Sequence, residues 1–301
     1  MTAVNGDLVA GEQAALAGRV EAMRRRMGWG AGGGAVTLGV LAFLAVPAML
    51  RAADGDPELV ISLIYVLPVA AAAPPIALAM AYKAWYRKQV FGWALARRGA
   101  TLRMPAAGAF GQAIFQESGL LPERVFQGRY RAYSSALAVE GHVDGLAVSF
   151  CHLSWQQRPS DYQPTSGLFV AISLEERVGE QVVVVPKGAE LPEAASDGLT
   201  RHPSADAAFS EHFDAYASGP VSAQIALPPE RLQAFAALAA RHPGLKAVFR
   251  KRSLFVLVPW AAWDGFAIGL TVPVERLTGL EAFEAMVEAA AGIVRAVASK
   301  A

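Results

Sequence analysis

Two long runs of uncharged, apolar residues constrain this chain more than any other feature. Residues 28–50 and 59–82 form runs of 23 and 24 residues with no Asp, Glu, Lys, Arg or His. As helices rising about 1.5 Å per residue, each would be about 35 Å long, enough to cross a hydrocarbon core of about 30 Å. Helices of soluble cores rarely stay uncharged for so long. The sequence therefore predicts a transmembrane hairpin, with two buried helices of a soluble domain as the alternative.

The charges that flank these runs predict the orientation of the hairpin. The connection, residues 51–58, has one basic and three acidic residues. Nine basic residues flank the other two ends, and they are Arg19, Arg24, Arg25, Arg26, Lys83, Arg87, Lys88, Arg97 and Arg98. Positive charge concentrates on the cytoplasmic side of membrane proteins. We therefore expect a multi-pass membrane protein with both termini in the cytoplasm.

The remaining composition excludes several classes of protein. Mean hydropathy is +0.32 and only 18% of residues are charged, which argues against a disordered chain. Residues 1–103 carry 11 Lys and Arg against 6 Asp and Glu, whereas residues 104–301 carry 16 against 20. This distribution suits contact with anionic lipid and is a poor footprint for nucleic-acid binding. The single cysteine excludes an intramolecular disulfide framework.

Small residues in the first run predict a helix-packing face. Gly30 and Gly34 are spaced by four, and Gly39 lies further along the same run. Such spacing lets a second helix approach closely. The partner is either the second run of the same chain or another copy, so a homo-oligomer stays open. Neither run contains an ionisable residue, which argues against a self-contained transporter.

Four segments follow from these observations. They are an amphipathic cytoplasmic leader at 1–27, the transmembrane hairpin at 28–82, a juxtamembrane helical linker at 83–120 and a cytoplasmic domain at 121–301. Strands first, with helices between and after them, predict an α+β domain with a mainly antiparallel sheet and flanking helices.

Local patterns predict the elements of this domain. The expected strands cover 129–140, 143–155, 167–174, 181–185, 221–227, 245–250, 253–259 and 266–272, and the expected helices cover 106–118, 205–216, 228–241 and a last segment after Thr278. The pair 129–140 and 143–155 reads as a hairpin near Asp144-Gly145. The pair 245–250 and 253–259 reads as another, turning at Arg250-Lys251-Arg252. In the last helix, Leu280, Phe283, Val287, Val294 and Val297 form one apolar stripe.

Several short patterns resemble a bacterial family of two-span membrane proteins, designated domain of unknown function 3137. They are Val125-Phe126-Gln127-Gly128, the stretch 213–227 with Pro229 and the helix after it, and Phe249 with the strand pair that follows. The resemblance covers roughly residues 20–300 and implies a protein of the bacterial inner membrane with two N-terminal spans followed by a cytoplasmic domain, with no assigned activity. This chain has Gly219 where the family usually has an acid and Gln224 where it has an arginine, so it lacks that potential pair.

No motif for catalysis or for a cofactor is present in the sequence. The five histidines lack the spacing of zinc ligands, and we expect neither a metal nor a cofactor. Cys151 and His152 are neighbours on a predicted strand, so their side chains would point to opposite faces. His142 and Asp144 lie at a hairpin turn, where polar residues are common. The basic cluster Arg250, Lys251 and Arg252 is either a solvated turn or a contact for lipid or a partner.

These observations predict a membrane-anchored cytoplasmic module that binds or assembles with a ligand, a lipid or a protein partner of the membrane or cytoplasm. One alternative is a membrane-tethered enzyme with a site built from scattered residues such as His142, Asp144, His152 and Asp161. Another is an accessory subunit of a membrane transporter, in which the small-residue face packs on another protein.

Overall fold

The computed structural model describes residues 2–52, 57–98, 101–105, 111–126, 133–156, 165–192, 198–261, 277 and 279–298. Among these, side chains are not described at 2–8, 38–52, 57–71, 124 and 298. The predicted strand at 266–272, Thr278 and Asp161 lie outside the described residues. The same holds for the side chains of 38–50 and 59–71, the larger part of the two predicted spans.

The chain divides into two compact units, residues 1–94 with 264–281 and residues 95–263 with 282–301. The first unit contains two long helices that pack on each other, α1 (Thr2–Ala52) and α2 (Pro57–Tyr86). A π-helical turn at Arg87–Phe91 continues α2 into the short α3 (Gly92–Ala96). No helix in the described part of the chain is both long and apolar enough to cross a membrane.

Short-range ion pairs stabilise the N-terminal part of α1. The Glu21 carboxylate accepts two hydrogen bonds from Arg24, each 2.7 Å, and one of 2.8 Å from Arg25 Nε. Residues three and four apart lie on one side of a helix, so one carboxylate can serve both arginines. Leu16 and Val20 are buried on α1, which fits the amphipathic character predicted for the leader.

The second unit is an antiparallel sheet with helices on both faces. Its strands are β1 (Tyr133–Val143), β2 (Leu146–Trp155), β3 (Thr165–Pro186), β4 (Thr200–His202), β5 (Phe213–Ala217) and β6 (Lys246–Pro259). Its helices are α4 (Gln112–Ser118), a 3₁₀ turn at Glu123–Val125, α5 (Ala207–His212), α6 (Pro220–Ala226), α7 (Pro229–Arg241) and α8 (Leu280–Ala298). The prediction of an α+β fold with a mainly antiparallel sheet and flanking helices is confirmed.

The long strand β3 organises this sheet. Its first half pairs with β2 and its second half with β5, while β6 pairs with both halves. β1 lies outside β2, and β4 lies outside β5. The β3–β6 register shifts between Ser173 and Gln181, and Lys251 has a φ of 56° at this irregularity. The two halves of the sheet therefore share a central pair of strands that bends in the middle.

Both faces of the sheet are covered. On one face, α4 and the turn after it supply Phe115, Leu121 and Val125 to a core that includes Phe169 of β3 and Phe255 of β6. On the other, the rings of α5, β5, α7 and β6 form an aromatic cluster, whose members are Phe209, Phe213, Phe235 and Phe249. Residues 168–170 and 182–185 are consequently all buried.

Several element predictions are confirmed. β1 and β2 form the expected hairpin, and its turn lies at Asp144 and Gly145, whose φ angles are 49° and 84°. The expected helix at 228–241 is α7, and part of the one at 106–118 is α4. The predicted stripe of the last helix is buried in α8, from Leu280 to Val297.

Two predictions about strands are wrong. The strands expected at 167–174 and 181–185 are one strand, β3, and the hairpin expected at 245–259 is one strand, β6. The basic residues Arg250, Lys251 and Arg252 therefore lie inside β6 and not at a turn. A chain bend marked by charged residues resembles a turn in sequence, but here both bent strands stay paired with each other.

The segment between β4 and α7 also differs from the prediction. The helix expected at 205–216 ends at His212, and residues 213–217 form β5. Phe209, Phe213 and Tyr216 have the spacing of a helical stripe. Residues 213–217 nevertheless pair with β3, and this pairing gives them an extended conformation. The strand expected at 221–227 is the helix α6, which begins with Pro220 at its first position, where proline is favoured.

Candidate membrane surface and binding cavities

The helices of the first unit carry exposed apolar side chains where the predicted spans begin and end. No residue of 28–37 or 72–81 is buried. Trp29 is 82% exposed, Val36 67%, Ile76 57% and Met80 67%. Large apolar side chains exposed together mark a surface that contacts lipid or another protein. We call these two described segments, 28–37 and 72–81, the apolar collar.

The predicted helix-packing glycines have different surroundings. A Cβ on Gly30 would lie 3.9 Å from Leu78 Cδ1 of α2, so this glycine faces the second helix of the same chain. A Cβ on Gly34 would meet nothing within 4 Å among the described residues. Gly39 belongs to the part of α1 whose side chains the structure does not describe.

The second unit contains a cavity of about 720 Å³. We call it the strand-end cavity, because its walls include the end of β2, the start of β3 and both ends of β6. Trp155, Leu191 and Leu257 give it apolar walls, and Glu190 and Lys246 add opposite charges. Its size and mixed lining are typical of small-molecule sites.

A second cavity, of about 460 Å³, lies against β4, β5 and α5. We call it the β4–β5 cavity. Its central feature is Asp214, which is only 8% exposed. The Gly188 N–H donates to Asp214 Oδ2 over 3.0 Å, and Arg201 Nη2 donates to Oδ1. The Gly188 N–H and the Arg201 guanidinium together hold the pKa of Asp214 below its usual value.

Half of the residues that line the β4–β5 cavity have side chains that can donate hydrogen bonds. Lys187, Arg201, His202 and two serines line it, and Asp214 is its one acidic residue. Gly188 has a φ of 74°, a conformation that glycine adopts without strain, and this turns its N–H toward Asp214. Lys187 and Arg201 against Asp214 give this lining a formal charge of +1.

The residues suggested for a scattered catalytic site are not brought together. His142 and Asp144 are exposed at one end of the β1–β2 hairpin. His142 pairs with Ala147, five residues before the buried His152 on β2, which separates the two histidines by about 17 Å along the strand. Asp144 instead pairs with Arg295 of α8 at 3.7 Å. Asp161 lies outside the described residues.

The two residues Cys151 and His152 face opposite sides of the sheet. Cys151 belongs to the core under α4, and burial raises the pKa of its thiol. Burial lowers the pKa of His152, which is 3% exposed. Within the described ranges, no three His, Cys, Asp or Glu side chains gather as metal ligands.

The basic cluster of β6 contacts α4. Arg250 Nη1 donates to the Glu117 carbonyl oxygen over 3.0 Å, and Lys251 Nζ lies 4.0 Å from the Glu117 carboxylate. Arg252 is exposed. Two of the three residues suggested for lipid or partner contact therefore have partners within their own unit.

The cavity residues were not identified from the sequence. Lys187, Arg201 and Asp214 are separated by 13 residues or more along the chain. Only the pairing of β3, β4 and β5 brings them together. No local spacing could have indicated them.

Comparison with known proteins adds little. No protein-family model matches the chain, and no curated protein matches it. Among solved structures, it is similar to the mycobacterial trehalose monomycolate transport factor A, TtfA, at 14% sequence identity. The match covers 57% of this chain and 77% of that chain, with a TM-score of 0.31. A likeness of this size carries no argument about function.

Proposed function

We propose that this protein is a membrane-anchored binding or assembly module. In this proposal, a helical hairpin of α1 and α2 crosses the bacterial inner membrane, and the α+β unit works in the cytoplasm on a ligand or partner. The observation that carries the proposal is the apolar collar, whose large side chains are exposed and uncharged.

The free energy of hydration explains why this surface needs a covering. Exposing apolar area to water costs about 25 cal/mol per Å². On α1, Leu16 and Val20 are buried before the uncharged run, and no residue of 28–37 is buried. On α2, burial starts again at Tyr82, where the second run ends. Lipid chains would cover these positions without cost.

The flanking charges support the cytoplasmic orientation. Nine basic residues lie before the first run or after the second, against one in the connection between the runs. The binding role is supported by the strand-end cavity, whose volume of about 720 Å³ suits a small molecule. The enzyme alternative gains no support from the described residues, because His142 and His152 lie far apart.

The anchor is tested by fractionation and by reporter fusions. After alkaline washing of membranes, we expect the full chain to stay in the pellet. A phosphatase that is active only outside the cytoplasm should be active when fused at Gly55 and inactive at the C-terminus. A washed-out chain would overturn the anchor, and the opposite fusion pattern would overturn the orientation.

A matched pair of variants links the result to the apolar collar. Replacing both Ile76 and Met80 with lysine should increase extraction by alkali, because charges are costly in hydrocarbon. The control replaces Ala84 and Lys88, exposed positions beyond the run, with lysine and arginine and should leave extraction unchanged. Equal extraction of the two variants would contradict the role of the collar. Purification of native complexes from mildly solubilised membranes then tests the assembly role.

A further inference from the structure

The β4–β5 cavity combines an excess of positive charge with one buried carboxylate that fixes an arginine. Asp214 binds Arg201 through Nη2 alone, and the Arg201 side chain is 64% exposed. Arg201 Nε and Nη1 have no hydrogen-bond partner among the described residues. Asp214 therefore holds the guanidinium at the cavity while leaving N–H groups available.

The donors around this cavity come from separate elements. Lys187 follows the end of β3, Arg201 lies on β4, and Ser204 lies on the segment before α5. Ser204 Oγ accepts from Asp206 N over 3.2 Å, so its hydroxyl hydrogen can donate elsewhere. A planar carboxylate is matched by the fork of a single arginine, whereas the donors here belong to three separate elements. Donors from several directions suit a tetrahedral phosphate.

An apolar wall completes the cavity. Phe209 and Phe213 line it, and their rings lie 5.5 Å apart between centroids. The two rings are only 1% and 3% exposed, so they close the floor of the cavity, and Pro203 is the exposed apolar residue of its lining. An organic group attached to the phosphate would contact Pro203.

We propose that the β4–β5 cavity is a binding site for a phosphate ester, in which Lys187, Arg201 and Ser204 bind the phosphate oxygens. The inference deepens the binding role proposed above and rests on it. The phosphate is supplied either by a soluble phosphate monoester or by a lipid whose head group is a phosphate monoester, as in phosphatidic acid, and both present the same chemistry to these residues.

Titration of the full chain with inorganic phosphate tests the site. The protein is purified in a neutral detergent without phosphate, and binding is followed by calorimetry and phosphorus NMR. We expect saturable binding with a dissociation constant on the order of 1 mM, and tighter binding of glycerol 3-phosphate. Absence of saturable phosphate binding would overturn the proposal.

Variants separate the proposed site from unspecific attraction. Lys187→Gln, which leaves the Asp214–Arg201 pair in place, should weaken phosphate binding about tenfold. Arg201→Gln should weaken it at least as much, and melting without phosphate shows whether that variant stays folded. The matched control is Arg241→Gln, an exposed arginine at the end of α7. If Lys187→Gln binds phosphate as tightly as Arg241→Gln does, the β4–β5 cavity is not the phosphate site.

A lipid comparison identifies the source of the phosphate. The full chain is placed in nanodiscs of phosphatidylcholine alone, with phosphatidic acid, or with phosphatidylserine. If phosphatidic acid suppresses phosphate binding and phosphatidylserine does not, the result supports a lipid head group as the ligand. If phosphate binding is equal in all three kinds of nanodisc, the result supports a soluble ester. Suppression to the same extent by both anionic lipids overturns a specific phosphate site. A chain that washes off membranes yet binds phosphate would overturn the anchor alone.

Discussion

At the scale of single residues, Gly141 shows how backbone contact selects an amino acid. It lies on β1 with a φ of 153°, and a Cβ there would lie 1.8 Å from the Thr101 carbonyl oxygen. Residues 101–103 approach this edge, where Arg103 and Glu140 exchange two backbone hydrogen bonds. We expect Gly141→Ala to lower the free energy of unfolding by about 3 kcal/mol, measured by thermal and chemical unfolding of the full chain.

A second glycine provides the matched control for this substitution. Gly292 lies inside α8, and no atom of the described residues outside its own stretch of α8 would lie within 4 Å of a Cβ added there. Alanine is favoured over glycine in a helix, so Gly292→Ala should raise stability by up to about 1 kcal/mol. Equal effects of the two substitutions would show that the contact with Thr101 does not decide the residue at 141.

The carboxylate of Asp214 gives stability that depends on pH. Its pKa is lowered from the usual 3.8, chiefly by the Gly188 N–H and also by Arg201. The unfolded chain therefore binds a proton at a higher pH than the folded chain does, so this stabilisation is complete above the usual carboxyl range and disappears as pH falls through the folded pKa. We expect Asp214→Asn to melt a few degrees lower than the wild type at neutral pH.

The difference in melting temperature between the wild type and Asp214→Asn should narrow as the pH is lowered past about 4, because the unfolded chain then binds the proton first, and the narrowing should end below the folded pKa, where the native carboxyl is protonated as well. Melting curves at a series of pH values measure this. Glu211→Gln, which changes an exposed carboxylate of α5, is the control and should show little difference at any pH. A constant gap for Asp214→Asn would contradict the assigned cause.

At the scale of elements, Arg231 links three helices. From the first turns of α7, its Nη1 donates to the carbonyl oxygens of Ile225 and Ala226 at 3.3 and 2.8 Å, at the end of α6. Its Nε donates to the Val297 carbonyl oxygen near the end of α8 over 3.2 Å. The last carbonyls of a helix lack partners within it, and a cation there is favoured. One side chain thus caps two helices.

Loss of this cap should be costly. Arg231→Ala leaves three carbonyls without their partner and removes a cation that lies 5.6 Å from the Phe249 ring, so we expect a loss of about 3 kcal/mol in the free energy of unfolding. Arg231→Lys should recover only part of it, because one ammonium cannot reach both helix ends. Arg241→Ala at the other end of α7 is the control, and hydrogen exchange should rise at the ends of α6 and α8 only in the Arg231 variants.

Element predictions from the sequence succeeded where the signal is local. Asp144-Gly145 specifies a tight turn by its own conformational preference, and the stripe of α8 follows from spacing along one helix. They failed where pairing with a distant strand decides the conformation. Residues 213–217 have a helical pattern of aromatics, but β3 draws them into the sheet. β3 is buried on both faces at 168–170 and 182–185, so these stretches lack the alternation that marks a half-buried strand.

The candidate site was harder to predict than the fold. The apolar collar follows from the two uncharged runs, because their apolarity is a property of consecutive residues. The β4–β5 cavity depends on three strands whose neighbours in space are distant in sequence. A charged residue at a strand end has the same local pattern whether it lines a cavity or faces solvent, so the pattern alone cannot distinguish the two.

At the scale of the whole molecule, charge and apolar surface are divided along the chain. The apolar collar and an excess of basic over acidic residues lie in the first third, whereas residues 104–301 have more acidic than basic residues. Anionic head groups would attract the first region and repel the second. This division favours a role in which one part of the chain contacts the bilayer and the other part remains available to a ligand or partner.

Trp29 allows this division to be tested directly. Its side chain is 82% exposed within the apolar collar, whereas Trp155 is 8% exposed in the core of the second unit. We expect brominated phosphatidylcholine to quench the tryptophan fluorescence of the full chain in vesicles, and Trp29→Phe to remove part of that quenching. Trp155→Phe is the matched control and should leave the quenched fluorescence unchanged, because bromine quenches only at short range. If Trp29→Phe and Trp155→Phe lose the same quenched signal, the collar does not contact lipid, and a protein partner becomes the better explanation of its exposed side chains.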